Sequence, residues 1–238
     1  MSMFVDQSPA KNNWILNAIP LVEQERLLPH FEHVALPQSQ TLFIPNDVIH
    51  HVYFPNSGMV SLVSLTEEGS TIEIGMVGNE GVVGITVILG TDTIPYQAEV
   101  QIPGDAIRIR ATILLEEFNR GGEFQKVLLR YTGVLIAQLS QSAVCNRFHT
   151  MKERLSKWLL VSRDRAKSSS FRLTQDDLSH MLGTYRPNVT AVARMLQNEG
   201  LINYSRGRMM ILDEGGLESA ACECYQVVKD SFDKFIGS

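Results

Sequence analysis

The side chains best suited to chemistry in this sequence are cations on a short helical stretch. In "LGTYRPNVTAVARMLQNEGL", Leu182 to Leu201, Arg186, Thr190, Ala191 and Arg194 share one face, while Val189, Val192, Ala193 and Leu196 form an apolar one. An arginine fork at the start of such a helix matches guanine O6 and N7, or a phosphate. Pro187 belongs to the first turn, where no intrahelical hydrogen bond is lost and a fixed φ favours initiation. Downstream, "LINYSRGRMMILD" alternates like a hairpin with Gly207 in its turn and Arg206 and Arg208 at its tip. Between Arg147 and Arg208 twelve lysines and arginines face five acids, a charge of +7, leaving −12 for the rest of a chain whose total is −5. A basic segment on an acidic body points to nucleic-acid contact through that segment alone.

The elements that must position these cations can be read from punctuation. Thr174 and Asp177 form a capping box that opens a helix from about Gln175 to Leu182, and Gly183 supplies a tight turn into the second helix. Two helices about a glycine turn, followed by a basic-tipped hairpin, predict a winged helix-turn-helix. On that reading Thr174, Gln175, Tyr185, Arg186, Asn188, Thr190, Arg194, Arg206 and Arg208 face double-stranded DNA, the last two on flanking phosphates. From about residue 34 to 110, short apolar runs alternate with Gly, Pro and Asn, with a turn at Glu67 to Ser70, and predict a β-roll or jelly-roll of short strands, although a different β-sandwich would give the same local pattern. Glu123 to Phe148 reads as one helix, apolar on more than one face. It is expected to pair with the same helix of a second chain through Leu128, Tyr131, Leu135 and Leu139, the alternative being a helix sandwiched within one monomer. Thr150 with Glu153 restarts a helix and marks a boundary. The fold class is therefore α+β: a β-roll over residues 1–120, a dimerisation helix over 121–149 and a winged helix over 150–238. The last of these includes a helix from about Leu217 to Phe235, with Ala221, Tyr225, Val228 and Phe232 in a stripe expected to pack on the winged helix.

Other chemistries find less support. The cysteines are Cys145, Cys222 and Cys224, too few for a disulfide framework, and Cys222-x-Cys224 lacks the second ligand pair of a zinc site. Structural thiols are expected and no metal is assigned, while a redox or metal role stays open because Cys145 and His149, four residues apart, could share a helix face. No run of eighteen apolar residues occurs, and MSMFVDQSPAKNNW has neither the basic flank nor the apolar stretch of a secretory leader, so a cytoplasmic protein without membrane contact is expected. A cupin-like enzyme would need converging metal ligands, but adjacent His50 and His51 point to opposite faces of a strand. P-loop and nucleophile-elbow motifs are absent, so no enzyme is expected. A winged helix that binds another protein is the rival reading.

The order of parts, with "LTQDDLSHMLGTYRPNVTAVARMLQNEGLI", "YFPNSGMVSLV" and "GMVGNEGVVG", resembles the Crp/Fnr family of bacterial transcription regulators over nearly the whole chain. The resemblance implies a homodimer on a pseudo-palindromic DNA site, an effector in the β-roll and contact with RNA polymerase. It places Arg186 at the leading base-contacting arginine and Thr174 at a phosphate-contacting hydroxyl. Pro187 stands where a base-reading glutamate is frequent and Ala191 where a later arginine is, so Asn188 and Thr190 become the further readers. In the effector region Ile85, after Gly84, replaces the glutamate that holds cyclic-nucleotide ribose, and Tyr96-Gln97 replace the Arg-Ser/Thr pair that holds the phosphate. Neither Ile85 nor Tyr96 is a cation, so cyclic AMP is not expected. The iron–sulfur branch needs an N-terminal cysteine cluster, and the first 144 residues contain no cysteine. Haem stays open through His30, His33, His50, His51 and His149, as does an anionic metabolite between the roll and Arg130. No cofactor is assigned.

Overall fold

The computed structural model describes residues 12–237; most of the stretch read above for a leader lies outside them. Two short helices, α1 (Trp14–Ala18) and α2 (Leu21–Leu27), lead into an antiparallel sheet. Asn13 ties this entry down. Its carbonyl caps α1 by accepting from Leu16 N at 3.2 Å, and its amide donates to Pro55 O and Gly81 O at 2.9 Å each.

The sheet comprises β1 (Glu32–Leu36), β2 (Thr41–Phe43), β3 (His51–Leu65), β4 (Thr71–Val77) and β5 (Gln97–Arg110), ordered β1-β5-β3-β4 with β2 also on β5. The β-roll is as expected, but its strands are not uniformly short: β3 runs 15 residues and β5 runs 14, straight through Pro55, Gly58, Pro103 and Gly104. These residues bend the strands rather than end them. Register shifts fall at Pro55/Ser57 and Ser57/Met59. A Cβ on Gly104 would stand 2.2 Å from Ser57 O, and one on Gly58, at φ +78°, 2.5 Å from Ile102 O. Only glycine permits the two backbones to approach so closely at the bulge.

Next come α3 (Ala111–Asn119) and the long α4 (Glu123–Phe148). The Glu23 carboxylate caps α4 from outside, accepting from Glu123 N at 3.1 Å and Phe124 N at 2.8 Å. The expected dimer face of α4 needs correction. Leu128 (0% exposed), Tyr131 (0%) and Leu135 (5%) are buried in the β-roll core, and Leu139 packs against it. Their apolar character is spent within the protomer. The face turned to solvent instead carries Leu129, Ile136, Val144 and Phe148, exposed by 49%, 56%, 42% and 73%.

After a break at His149, α5 (Met151–Ala166) opens on the expected capping box, with Thr150 N donating to Glu153 Oε2 at 2.7 Å. The rest comprises β6 (Ser170–Arg172), α6 (Gln175–Leu182), α7 (Arg186–Asn198), β7 (Ile202–Ser205), β8 (Arg208–Ile211), α8 (Glu214–Ala220) and α9 (Cys224–Ile236). The small sheet is ordered β6-β8-β7, so the polar stretch after α5 also supplies a third strand. The single C-terminal helix expected from sequence is two helices broken at Ala221 to Glu223. α9 also does not stay on the winged helix. Tyr225 joins that core, whereas Val228, Phe232 and Phe235 enter the β-roll core, with the Phe235 ring 4.3 Å from Trp14 and 5.9 Å from Tyr131.

Candidate nucleic-acid interface

α7 buries Val189, Ala193 and Leu196 and leaves Tyr185, Arg186, Asn188 and Arg194 in solvent, as its periodicity requires. Gly183, in the left-handed region at φ +59°, turns the chain between α6 and α7. Wing residues Arg206 (φ +50°) and Gly207 (φ +72°) form a two-residue turn with both φ positive, the conformation that matches strand twist in a hairpin. Gly207 O accepts from Leu173 N at 2.8 Å, so the wing tip is tied to the residue before the Thr174 cap. In consequence Thr174, Gln175, Arg186, Tyr204 and Arg206 line one open groove of about 450 Å³. Of the residues expected at DNA, the structure therefore gathers Thr174, Gln175, Arg186 and Arg206 in one place. Tyr185, Asn188 and Arg194 stand on the adjoining exposed surface, while half-buried Thr190 donates to Arg186 O at 3.0 Å.

Arg186 is held loosely. Its Nε donates to Gln175 Oε1 at 3.1 Å and its Nη1 lies 3.4 Å from Asp176 Oδ1, with both partners of the ion pair 60% exposed. Asn188 Nδ2 donates to Thr184 Oγ1 at 3.0 Å. Arg172 was not foreseen: it faces Arg208 across β6 and β8, on the exposed side of the small sheet. A three-residue strand is too short for alternation to reveal, and its one signal was a cation among serines.

The residues expected at an effector do not form an open anion site. Gly84, at φ +92°, leads into a 3₁₀ turn, Ile85–Leu89, in which Ile85, Val87 and Ile88 are core residues. Ile85 is 2% exposed. Tyr96 packs against the same core, and Gln97 Nε2 donates to Glu99 Oε2 at 2.8 Å. Arg130 stays on the solvent side of α4.

The contact between sensor and winged helix is extensive. Met59, Val63, Met76 and Ile102 of the roll join the winged-helix core. Thr71 Oγ1 donates to His180 O at 3.1 Å. Deeper, Arg165 Nε donates to Glu80 Oε1 at 2.8 Å and its Nη2 to Gln138 Oε1 at 2.5 Å, while the guanidinium lies 5.1 Å over the Phe232 ring. Both charges are nearly buried, at 6% and 9% side-chain exposure. Nearby Glu73 accepts from Ser61 Oγ at 2.5 Å, and burial pushes its carboxyl up to about 7.

The reading of the cysteines also needs correction. The missing second ligand pair is present at the C-terminal end of α4: Cys145 and His149 meet Cys222 and Cys224 with their donor atoms within 4.8 Å of one another. Cys145 Sγ is 3.7 Å from Cys222 Sγ, across 77 residues of sequence, and Cys224 Sγ is 3.3 Å from His149 Nδ1. The Cys222 thiol shared with Cys145 holds the latter below the usual thiol range, and that shared bond and burial push Cys222 itself up. Such a group could hold a metal ion.

A β-roll of the effector-binding type, carried by a long helix to a winged helix with an arginine-led second helix, defines a DNA-binding transcription regulator. Residues 153–220 match the family described as the Crp-like helix-turn-helix domain, and residues 33–120 match the cyclic nucleotide-binding domain. The chain belongs to the Crp/Fnr family of transcription regulators. It is 28% identical to transcriptional regulator SdrP of Thermus thermophilus over 171 residues, covering 69% of this chain and 80% of that one. Among solved structures it is similar to FixK2 of Bradyrhizobium japonicum, with a TM-score of 0.69 at 15% identity, covering 81% of this chain and 98% of that one. It is also similar to TTHB099, a CRP-family transcriptional regulator of Thermus thermophilus, with a TM-score of 0.66 at 19% identity over 80% and 96% of the two chains. Among the described residues no helix is long and apolar enough to cross a membrane.

Proposed function

We propose that the protein works in the cytoplasm as a homodimer on a pseudo-palindromic DNA site, by binding and without catalysis, and contacts RNA polymerase there. The observation that carries this reading is the groove shared by Thr174, Gln175, Arg186 and Arg206, which offers a hydroxyl, an amide and two guanidinium groups against the one carboxylate of Asp176, beside an exposed second helix. Arg186 reads a base, Asn188 and Thr190 add discrimination, and Tyr185 and Arg194 extend the contact. Thr174, Gln175, Arg206, Arg208 and Arg172 hold phosphates.

The dimer forms through the outward face of α4, where Leu129, Ile136, Val144 and Phe148 stand in solvent beside Gly133, at which an added Cβ would meet nothing within 4 Å. Two recognition helices about the dyad then address half-sites about 34 Å apart. An effector acting on the β-roll would shift the population of DNA-competent dimers through the packed contact between roll and winged helix. The buried apolar side chains at Ile85, Val87 and Ile88 favour an effector other than a cyclic nucleotide.

The test is selection of bound sequences from a random duplex library, with the mass of the free protein measured in parallel. A two-fold symmetric consensus bound by a dimer supports the reading. A monomer whose winged helix enriches no DNA in ligand-free form or with cell extract refutes it. A steep fall of affinity with salt separates DNA from a protein partner.

A further inference from the structure

The thiol and imidazole group at the joint serves neither the DNA face nor the β-roll core. Cys145 and His149 lie one turn apart at the end of α4, and Cys222 and Cys224 flank the start of α9. Three sulfurs and one ring nitrogen within 4.8 Å form a Cys₃His donor set, the kind that tetrahedral zinc takes in closed structural sites. Two sulfurs bound to zinc at about 2.3 Å in tetrahedral geometry stand about 3.8 Å apart, and Cys145 and Cys222 stand at 3.7 Å. A multi-iron cluster spreads its ligands over several irons, whereas all four donor atoms here lie within 4.8 Å of one another and fit around one ion.

The surroundings also suit an ion. His149 presents Nδ1 to the group and turns Nε2 to the Glu223 carboxylate, 3.2 Å away, the arrangement that fixes ring orientation and tautomer in metal-bound histidines. Gln141 Nε2 donates to Cys224 Sγ at 3.1 Å, a bond that a thiolate accepts better than a thiol. Zinc binding would release to solvent whatever protons the three thiols still carry, and three thiolates with Zn²⁺ leave the site at −1. Arg154 and Lys157 on α5 supply compensating positive charge near Cys145.

We propose that the protein holds one zinc ion on Cys145 Sγ, Cys222 Sγ, Cys224 Sγ and His149 Nδ1, clamping the end of the long helix to the start of the C-terminal helix. With four protein ligands the ion is structural. It fixes the joint between α4 and α5, and so the placement of the winged helix on its partner domain.

The experiment is elemental analysis of the full-length protein purified under reducing conditions without chelator, followed by zinc removal and titration with Co²⁺. About one equivalent of zinc per chain is expected, replaced by Co²⁺ with the intense visible absorption of a tetrahedral thiolate site. Cys222→Ser/Cys224→Ser should lower bound metal at least tenfold, and His149→Ala should change the Co²⁺ spectrum. Should a variant fail to fold, the stripped wild-type protein carries the test: reloading with zinc should raise its melting temperature reversibly. A folded wild-type protein that takes up neither zinc nor Co²⁺, iron in place of zinc, a Cys145–Cys222 disulfide in the isolated protein, or full stoichiometry in a folded double-serine variant would each overturn the proposal. Stoichiometry is read without DNA, so failure of DNA binding leaves this result standing on its own.

Discussion

Two arginines of this molecule show opposite uses of the same side chain. Arg186 stands in solvent at the groove it shares with Thr174, Gln175 and Arg206, 3.4 Å from an equally exposed Asp176. Arg165 lies between sensor and winged helix, bonded to Glu80 and Gln138 with almost no solvent contact. An exposed pair is worth about 0–1 kcal/mol and can be exchanged for a phosphate or base at little cost. Breaking a buried pair leaves a desolvated charge without compensation. The molecule therefore keeps Arg186 free to change partners and commits Arg165 to holding the β-roll and the winged helix together.

The largest expected effect tests that commitment. Arg165→Ala, which strands Glu80, should cost about 3–5 kcal/mol in denaturant unfolding, whereas the double variant Glu80→Gln/Arg165→Met should recover part of the loss; equal losses would deny the pair its role. Next is Glu73, in the same interface. Its carboxyl ionises near 7 when folded against 4.5 unfolded, so between those values the folded protein keeps a proton that the unfolded chain has released. That contribution to stability is complete below pH 4.5, declines as pH rises through the window and is gone above about 7, a change on the order of 3 kcal/mol. Melting temperatures across this window should show the decline, and Glu73→Gln should flatten it; an unchanged profile in the variant would place the titration elsewhere.

On the exposed side the effects are smaller and fall on DNA. Arg186→Ala should cost about 1–3 kcal/mol on the selected site and relax preference at one base pair, while Arg206→Ala weakens selected and random duplexes alike. Identical losses on both DNAs for both variants would erase the division of roles. Smallest of all, Asp176→Asn should change stability by less than about 1 kcal/mol and strengthen DNA binding a few-fold, by releasing Arg186 and removing a charge that repels phosphate. Weaker binding would mean that Asp176 orients Arg186.

Legibility followed the range of the interactions. The capping boxes at Thr150 and Thr174, the glycine turn at Gly183 and the Arg206-Gly207 tip are set by neighbours three or four residues apart, and the winged helix was readable from them. Gathering Thr174, Gln175, Arg186 and Arg206 into one groove needed only that local order. On α4, periodicity showed two apolar faces but not which met the protomer's own roll, because Leu128 and Leu129 are alike as residues and differ only in what lies opposite. The cysteine group was hidden for the same reason: its halves are 77 residues apart and meet only because α9 turns back. Pro55, Gly58 and Gly104 misled as strand ends, since the close approach that lets them bend a continuous strand is a property of the partner strand.

The return of α9 also changes the kinematics of the molecule. The chain leaves the β-roll body at the end of α4 and rejoins it through α9, whose Phe235 rests on Trp14 near the start of the described chain. The DNA-binding unit is thus inserted between two pieces of one body. A part hung from a single strand can pivot in any direction, whereas a part suspended at two points keeps one easy rotation, about the line that joins them. The crossings at His149 and Cys222 define that line, the axle for any motion that would bring two recognition helices of a dimer to or from the one-turn spacing of their half-sites.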